Sequence, residues 1–273
     1  MFLDLDLGHL TELLTGRTLN PRQIIFRVAE RGTHFQDEGV SRGDRVFVHY
    51  GNNLEFFIDL LSVWHMGASL VPIDSRLTVF EVENLARAVK PRLMLVDSKA
   101  HASLIAGMIA AGVKVINTAN WDFDNREHGE PRPFASRARL DDEALILFTS
   151  GSTGIPKGVI HTHRTLRARW MALRESLGLR SYGRTLCLLP THFSHGLLCN
   201  SLFPWLSGLD LFIAPAFSTD VLMRLGRLID EHKLTFLSSV PSMWGLILKA
   251  SKPPQFQTLR RIHCGSAPLS AHL

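Results

Sequence analysis

The stretch Phe148-Thr-Ser-Gly-Ser-Thr-Gly-Ile-Pro-Lys-Gly-Val159 concentrates side chains able to do chemistry. Thr149, Ser150, Gly151, Ser152 and Thr153 form an unbroken run of hydroxyls and glycine behind an apolar segment, and Gly154 and Lys157 follow. Glycines let backbone N–H groups approach an anion closely, hydroxyls add donors, and an ammonium supplies countercharge. Those are the needs of a loop that holds phosphate. A flexible Ser/Gly connection with no ligand has a similar composition, and composition alone does not decide between them. A nucleotide P-loop is the nearest competing chemistry, but it requires Gly-Lys-Ser/Thr leading into a helix. Here Pro156 precedes Lys157, Gly158 follows it, and the chain runs on into the β-forming Val159-Ile160. The P-loop pattern fails on both counts.

Other candidate groups are weaker. His161 and His163 alternate, so a strand would set both on one face, but no third ligand accompanies them and they read as structural histidines. The 3 cysteines, Cys187, Cys199 and Cys264, are odd in number and lack metal-ligand spacing. Cys187 and Cys199 sit among leucines as small hydrophobes, a usage that fits a reducing cytoplasm. Net charge is +5, which raises the question of a polyanionic partner. The only cluster, Arg164, Arg167, Arg169, Arg174 and Arg180, shares a helical stretch with Trp170, Met171, Leu173 and Leu177. That is a solvated helix face packed through its apolar side rather than a nucleic-acid surface.

The elements that must position the loop alternate between strand and helix. Residues 45–50 read as a strand after the turn Ser41-Arg-Gly-Asp44, 54–66 as a helix ended by Gly67, and 68–73 as a strand. Thr78 and Glu81 form a capping box for a helix to Val89. Strands at 93–96 and 113–116 flank a helix at 104–111. A polar, proline-containing connection covers 117–142; strands at 144–148 and 158–161 then bracket the hydroxyl-rich loop. A second alternating series covers 186–189, 197–206, 209–214, 221–232, 235–239, 243–250 and 260–263. Repeated β-α-β predicts an α/β fold of mostly parallel sheets flanked by helices. The N-terminus carries Asp4 and Asp6 and no basic region, unlike a signal peptide, and the apolar stretch 54–73 is broken by Glu55, Asp59 and His65, so no transmembrane segment is expected.

Thr149-Ser-Gly-Ser-Thr-Gly-Ile-Pro-Lys-Gly158 is similar to the signature of the adenylate-forming superfamily, which comprises acyl- and aryl-CoA synthetases, luciferases and peptide-synthetase adenylation domains. The resemblance continues along nearly the whole chain. It includes Gly39–Val46, Asn53-Leu-Glu-Phe-Phe57, His65–Asp74, Leu189-Pro-Thr-His-Phe-Ser-His-Gly196, Ser239-Val-Pro-Ser-Met-Trp244 and Gly265-Ser-Ala-Pro-Leu269. It implies the two-lobed N-terminal domain of these enzymes, here truncated, with one lobe at about 45–183 and the other at about 1–44 plus 184–273.

The resemblance also implies roles. Thr149, Ser150, Gly151, Ser152, Thr153, Gly154 and Lys157 would hold the ATP phosphates, and Gly265, Ser266, Ala267 and Pro268 would flank adenine. The family more often places a second glycine where Ser266 stands. His192, Phe193, His195, Val240, Ser242 and Met243 are the candidate acid-pocket lining. Many CoA ligases have histidine where Phe193 stands, and amino-acid-activating members have aspartate where Ser194 stands. A buried substrate ammonium would lack its partner here, which favours a fatty, aryl or other hydrophobic acid. The implied reaction forms an acyl-adenylate from acid and MgATP, then a thioester with CoA or an acyl carrier protein. The magnesium-binding Thr-Glu segment and the C-terminal catalytic lysine of the family pattern are not within these residues, so the isolated chain is expected to lack competent adenylation. The alternative is a nucleotide-binding or carrier-interacting module without catalysis.

Overall fold

A computed structural model describes residues 6–121, 136–149 and 157–270. In chain order the elements begin with β1 (Leu10–Glu12), β2 (Thr18–Leu19), α1 (Pro21–Asp37), β3 (Arg45–Val48) and α2 (Leu54–His65). They continue with β4 (Ser69–Pro72), α3 (Val79–Val89), β5 (Leu93–Val96), α4 (Ala102–Ala110), β6 (Lys114–Asn117), β7 (Glu143–Thr149) and β8 (Lys157–Thr162). Next come α5 (His163–Leu177), β9 (Arg184–Cys187), a π-helical segment (His195–Leu202) and α6 (Phe203–Trp205). The last are β10 (Asp210–Ile213), α7 (Thr219–Met223), α8 (Leu225–Glu231), β11 (Phe236–Ser239), α9 (Pro241–Ala250) and β12 (Arg261–Cys264).

The chain divides into two compact units. The first holds Arg22–Gly51 and Glu55–Arg167, with a sheet ordered β6-β5-β3-β4-β7-β8. The second holds Phe2–Pro21, Asn52–Leu54 and Ala168–Leu273, with a sheet ordered β12-β11-β9-β10-β1-β2. Among the described residues every strand pair is parallel except β7–β8 and β1–β2. The α/β architecture of mostly parallel sheets flanked by helices is therefore the one the sequence predicts.

In the first unit, β4 and β5 are buried at every position, as a strand covered on both faces must be. Phe47, Val71, Met94 and Ile146 pack against Val82 and Leu85 of α3 and Leu104 and Met108 of α4. Thr78 Oγ1 accepts from Glu81 N at 3.3 Å while the Glu81 carboxylate accepts from Thr78 N at 2.8 Å, completing the expected box. In the second unit, Leu186, Phe212 and Leu237 of the sheet meet Val221, Leu225, Ile229 and Ile247.

The units are drawn differently from the expected lobes. Residues 22–44 join the first unit because α1 is tied to α2: Ser62 Oγ donates to Val28 O at 3.1 Å, and Arg31 pairs with Asp59, 2% and 0% exposed. The Tyr50 hydroxyl also donates to Asp59. Burial pushes the Asp59 carboxyl up to about 6, against the pull of Arg31 and Tyr50. The span expected as one element over 221–232 is broken at Arg224 into α7 and α8.

Candidate functional site

Thr149 and Lys157 end the two strands of a β-hairpin in the first unit. Strand β7 is buried from Ala144 to Leu147, and the Trp64 indole N–H donates to Ala144 O at 2.6 Å. Strand β8 pairs antiparallel with it, so that Phe148 opposes Gly158 and Thr149 opposes Lys157. Thr149 Oγ1 reaches Lys157 O at 3.4 Å, and both residues are exposed. Antiparallel pairing thus fixes where the loop leaves and re-enters the sheet. Ser150, Gly151, Ser152, Thr153 and Gly154 fall outside the described residues.

His161 and His163 do not share a strand face. Strand β8 stops at Thr162, whose Oγ1 accepts from Thr165 N at 3.2 Å and starts α5 at His163. His163 is 2% exposed, edge-on to Trp64 with ring centroids 5.5 Å apart. Burial lowers its pKa to about 4, so the imidazole stays neutral. Among the described residues no three His, Cys, Asp or Glu side chains are placed to hold a metal ion.

In the second unit, the segment after β9 is built by contacts from distant parts of the chain. Asn52 is the main brace: its Nδ2 donates to Leu189 O (2.9 Å) and Ala214 O (3.0 Å), and its Oδ1 accepts from Thr191 N (3.1 Å). Gly196 then packs so closely that an added Cβ would lie 2.4 Å from Pro190 O. Only glycine fits there. From His195 the backbone runs as a π-helical segment, a geometry concentrated at functional sites, and Ser201 Oγ donates to Gly196 O at 2.7 Å.

The candidate lining residues separate by environment. The His192 and Phe193 rings are tilted 52° to one another with centroids 4.5 Å apart, and Phe193 is 44% exposed. Ser194 Oγ accepts from Arg169 Nη1 at 3.1 Å. On α9, Ser242 is exposed, Val240 is half-buried at the helix start, and Met243 packs in the core with Leu186 and Ile247. Strand β11 carries Ser238 and Ser239, and β12 pairs beside it. Gly265 N donates to Ser239 O at 3.2 Å, directing Gly265, Ser266, Ala267 and Pro268 off the edge of this sheet. Ser266 has φ +65°, and Ala267 and Pro268 are exposed.

His195 joins these segments. Its Nδ1 lies 2.8 Å from Ser266 Oγ and its Nε2 lies 2.7 Å from Ser238 Oγ. Burial, with His263 nearby, holds its pKa below the ordinary histidine value. The structure therefore brings one acid-pocket candidate to the candidate adenine loop. Asn52, Ser238 and Arg169 were not singled out as site residues by the sequence. Asn52 adjoins the recognisable Asn53–Phe57 segment, but nothing local signals that its amide is spent on residues 189–214.

The family model described as AMP-binding enzyme matches residues 11–273. The chain belongs to the AMP-binding enzyme family. It is 28% identical over 270 residues to a feruloyl-CoA synthase from Amycolatopsis sp, covering 97% of this chain and 53% of that protein. It is 26% identical over 234 residues to the hybrid PKS-NRPS synthetase pvhA of Talaromyces variabilis, covering 86% of this chain and 6% of that one. In fold it matches ATP-bound MatB from Rhodopseudomonas palustris with TM-score 0.80 and 21% identity, over 98% of this chain and 53% of that one. The chain thus spans about half the length of the feruloyl-CoA synthase and a small part of the hybrid synthetase. Among the described residues no helix is long and apolar enough to cross a membrane.

Proposed function

We propose that this chain supplies the phosphate-, acid- and adenine-handling segments of an enzyme that activates a carboxylic acid with ATP. A carboxylate oxygen attacks the α-phosphorus, the bond from that phosphorus to the bridging oxygen of pyrophosphate breaks, and acyl-AMP forms. A thiol sulfur, that of CoA in preference to a carrier protein, then attacks the acyl carbon, and AMP leaves with the oxygen. Both reactants of the first step are anions, so positioned donors and positive charge do most of the work.

The observation that carries this is the hairpin registration of Thr149 opposite Lys157, within a chain that matches the family over residues 11–273. On that basis Thr149, Ser150, Gly151, Ser152, Thr153, Gly154 and Lys157 hold the β- and γ-phosphates. Gly265, Ser266, Ala267 and Pro268 flank the adenine. His192, Phe193, His195, Val240 and Ser242 line the acid, and Met243 shapes that lining from the core. ATP is the co-substrate; magnesium would add positive charge at the phosphates. The chain alone is expected to bind nucleotide without completing the reaction.

The acid lacks an α-amino group. Ser194 is bonded to a guanidinium, that of Arg169 at 3.1 Å, which would repel a substrate ammonium rather than pair with it. A fatty, aryl or other hydrophobic acid suits the exposed ring of Phe193, 44% accessible. Acid-dependent ATP–pyrophosphate exchange by the full-length protein tests this against fatty, aryl and amino acids. Exchange with fatty or aryl acids is expected. Exchange with none overturns the activity, and exchange with amino acids alone overturns the substrate class.

A further inference from the structure

We propose that His195 is a positioning residue that clamps the candidate adenine loop in its left-handed turn, through one ring nitrogen to Ser266 and the other to Ser238. The proposal rests on the nucleotide-binding reading above, and it adds a coupling between the acid segment and the adenine loop that the separate roles do not contain.

A neutral imidazole has one N–H and one lone pair on opposite sides of the ring, and a serine hydroxyl can serve either as donor or as acceptor. With Nδ1 at 2.8 Å from Ser266 Oγ and Nε2 at 2.7 Å from Ser238 Oγ, both ring nitrogens are used. Two of the three members cannot move easily. Ser238 is 2% exposed within β11. His195 begins the π-helical segment, in which Gly196 is too closely packed on Pro190 O for any Cβ and Ser201 Oγ donates to Gly196 O at 2.7 Å.

Ser266 is the movable member. It is exposed, follows a sheet-edge strand, and holds φ +65°, a conformation glycine adopts without penalty and serine does not. A glycine would be the less costly occupant of that backbone. A serine there has a compensating use in its hydroxyl, and the structure shows that use: the bond to His195. Partial burial of the ring, with His263 close by, keeps the imidazole neutral, the form that offers one donor and one acceptor.

Three variants separate this from a structural role: Ser266→Gly, His195→Phe and the pair. Ser266→Gly relieves the backbone while deleting the hydroxyl, so its melting temperature is expected to hold or rise, as a merely structural loss would not allow. ATP binding to this chain, by calorimetry with ATP alone, is expected to weaken roughly fivefold in each single variant and no further in the double, as for two ends of one bond. Additive losses, or ATP affinity unchanged in Ser266→Gly, overturn the clamp. Long-range ¹⁵N NMR of the His195 ring reads the link without nucleotide: Ser266→Gly is expected to move Nδ1 and leave Nε2 in place, and an unmoved Nδ1 overturns the proposal. If the parent chain takes up no ATP and the full-length protein shows no exchange with any acid, the nucleotide reading is what fails. The positioning role then falls with it, while the ring resonances still decide whether the bond exists.

Discussion

The hairpin around residues 149–157 and the segment around residues 189–196 both carry candidate chemistry, yet they are built in opposite ways. In the first, the polar residues are neighbours in sequence, and one antiparallel ladder between β7 and β8 sets Thr149 opposite Lys157. In the second, the contributing side chains come from Asn52, Arg169, Ser238 and Ser266, across sequence separations from 25 to 139 residues. The contrast teaches where damage will show. Thr149 and Lys157 at the hairpin's mouth are exposed and have little structural duty, whereas the braces of residues 189–196 are tied into the fold.

Substitutions can test that contrast, beginning with the largest expected effect. Asn52→Ala strips two donors and an acceptor from buried backbone groups, so a stability loss of about 3 kcal/mol is expected in chemical denaturation. A loss within experimental error would mean that the segment holds itself. Lys157→Ala is the mirror case: pyrophosphate exchange by the full-length protein is expected to fall about a hundredfold while the melting temperature stays put, since the side chain is exposed. Full activity would remove the phosphate role from the hairpin.

His163, at the foot of the same hairpin, gives a pH test. Its folded pKa near 4 lies below the ordinary value of 6.5, so the folded state binds the proton less tightly than the unfolded one. Its contribution is therefore present above 6.5 and lost as pH falls toward 4, by about 2 kcal/mol between pH 7 and pH 5. Asp59, raised to about 6, acts with the opposite sign over part of that range, so the measurement is the difference between parent and His163→Phe. A difference that does not change with pH would refute the buried neutral histidine. The smallest effect belongs to Thr149→Ala, which removes a long 3.4 Å contact from an exposed strand end and should cost under about 0.5 kcal/mol in stability.

The same contrast governs what the sequence disclosed. Local chemistry was readable: the Thr78–Glu81 box, the Ser41–Asp44 turn and the hairpin strands all rest on residues a few positions apart. Where a partner is remote, the sequence was silent. Helix α1 is obscured by Arg22, Arg27, Glu30 and Arg31, and the burial of Arg31 makes sense only once Asp59 lies against it. The π-helical segment includes Asn200, whose Nδ2 donates to Leu186 O at 3.1 Å, a bond that the residue types alone do not announce. His163 follows the strand expected to end at His161, and what buries it, the indole of Trp64, is 99 positions away. Ser266 looked like a departure from the family's glycine; its φ of +65° is one that glycine adopts freely, and its hydroxyl lies 2.8 Å from His195 Nδ1, seventy-one positions away.

The pairing of Thr149 with Lys157 sets a rule for inserting or deleting residues. Side chains alternate across a strand, so deleting one residue inside β8 turns every later side chain of that strand to the opposite face. A change of length confined to residues 150–156 leaves the ladder's parity untouched. The ladder therefore constrains the count of residues within β8 and places no such constraint on the number between the strands.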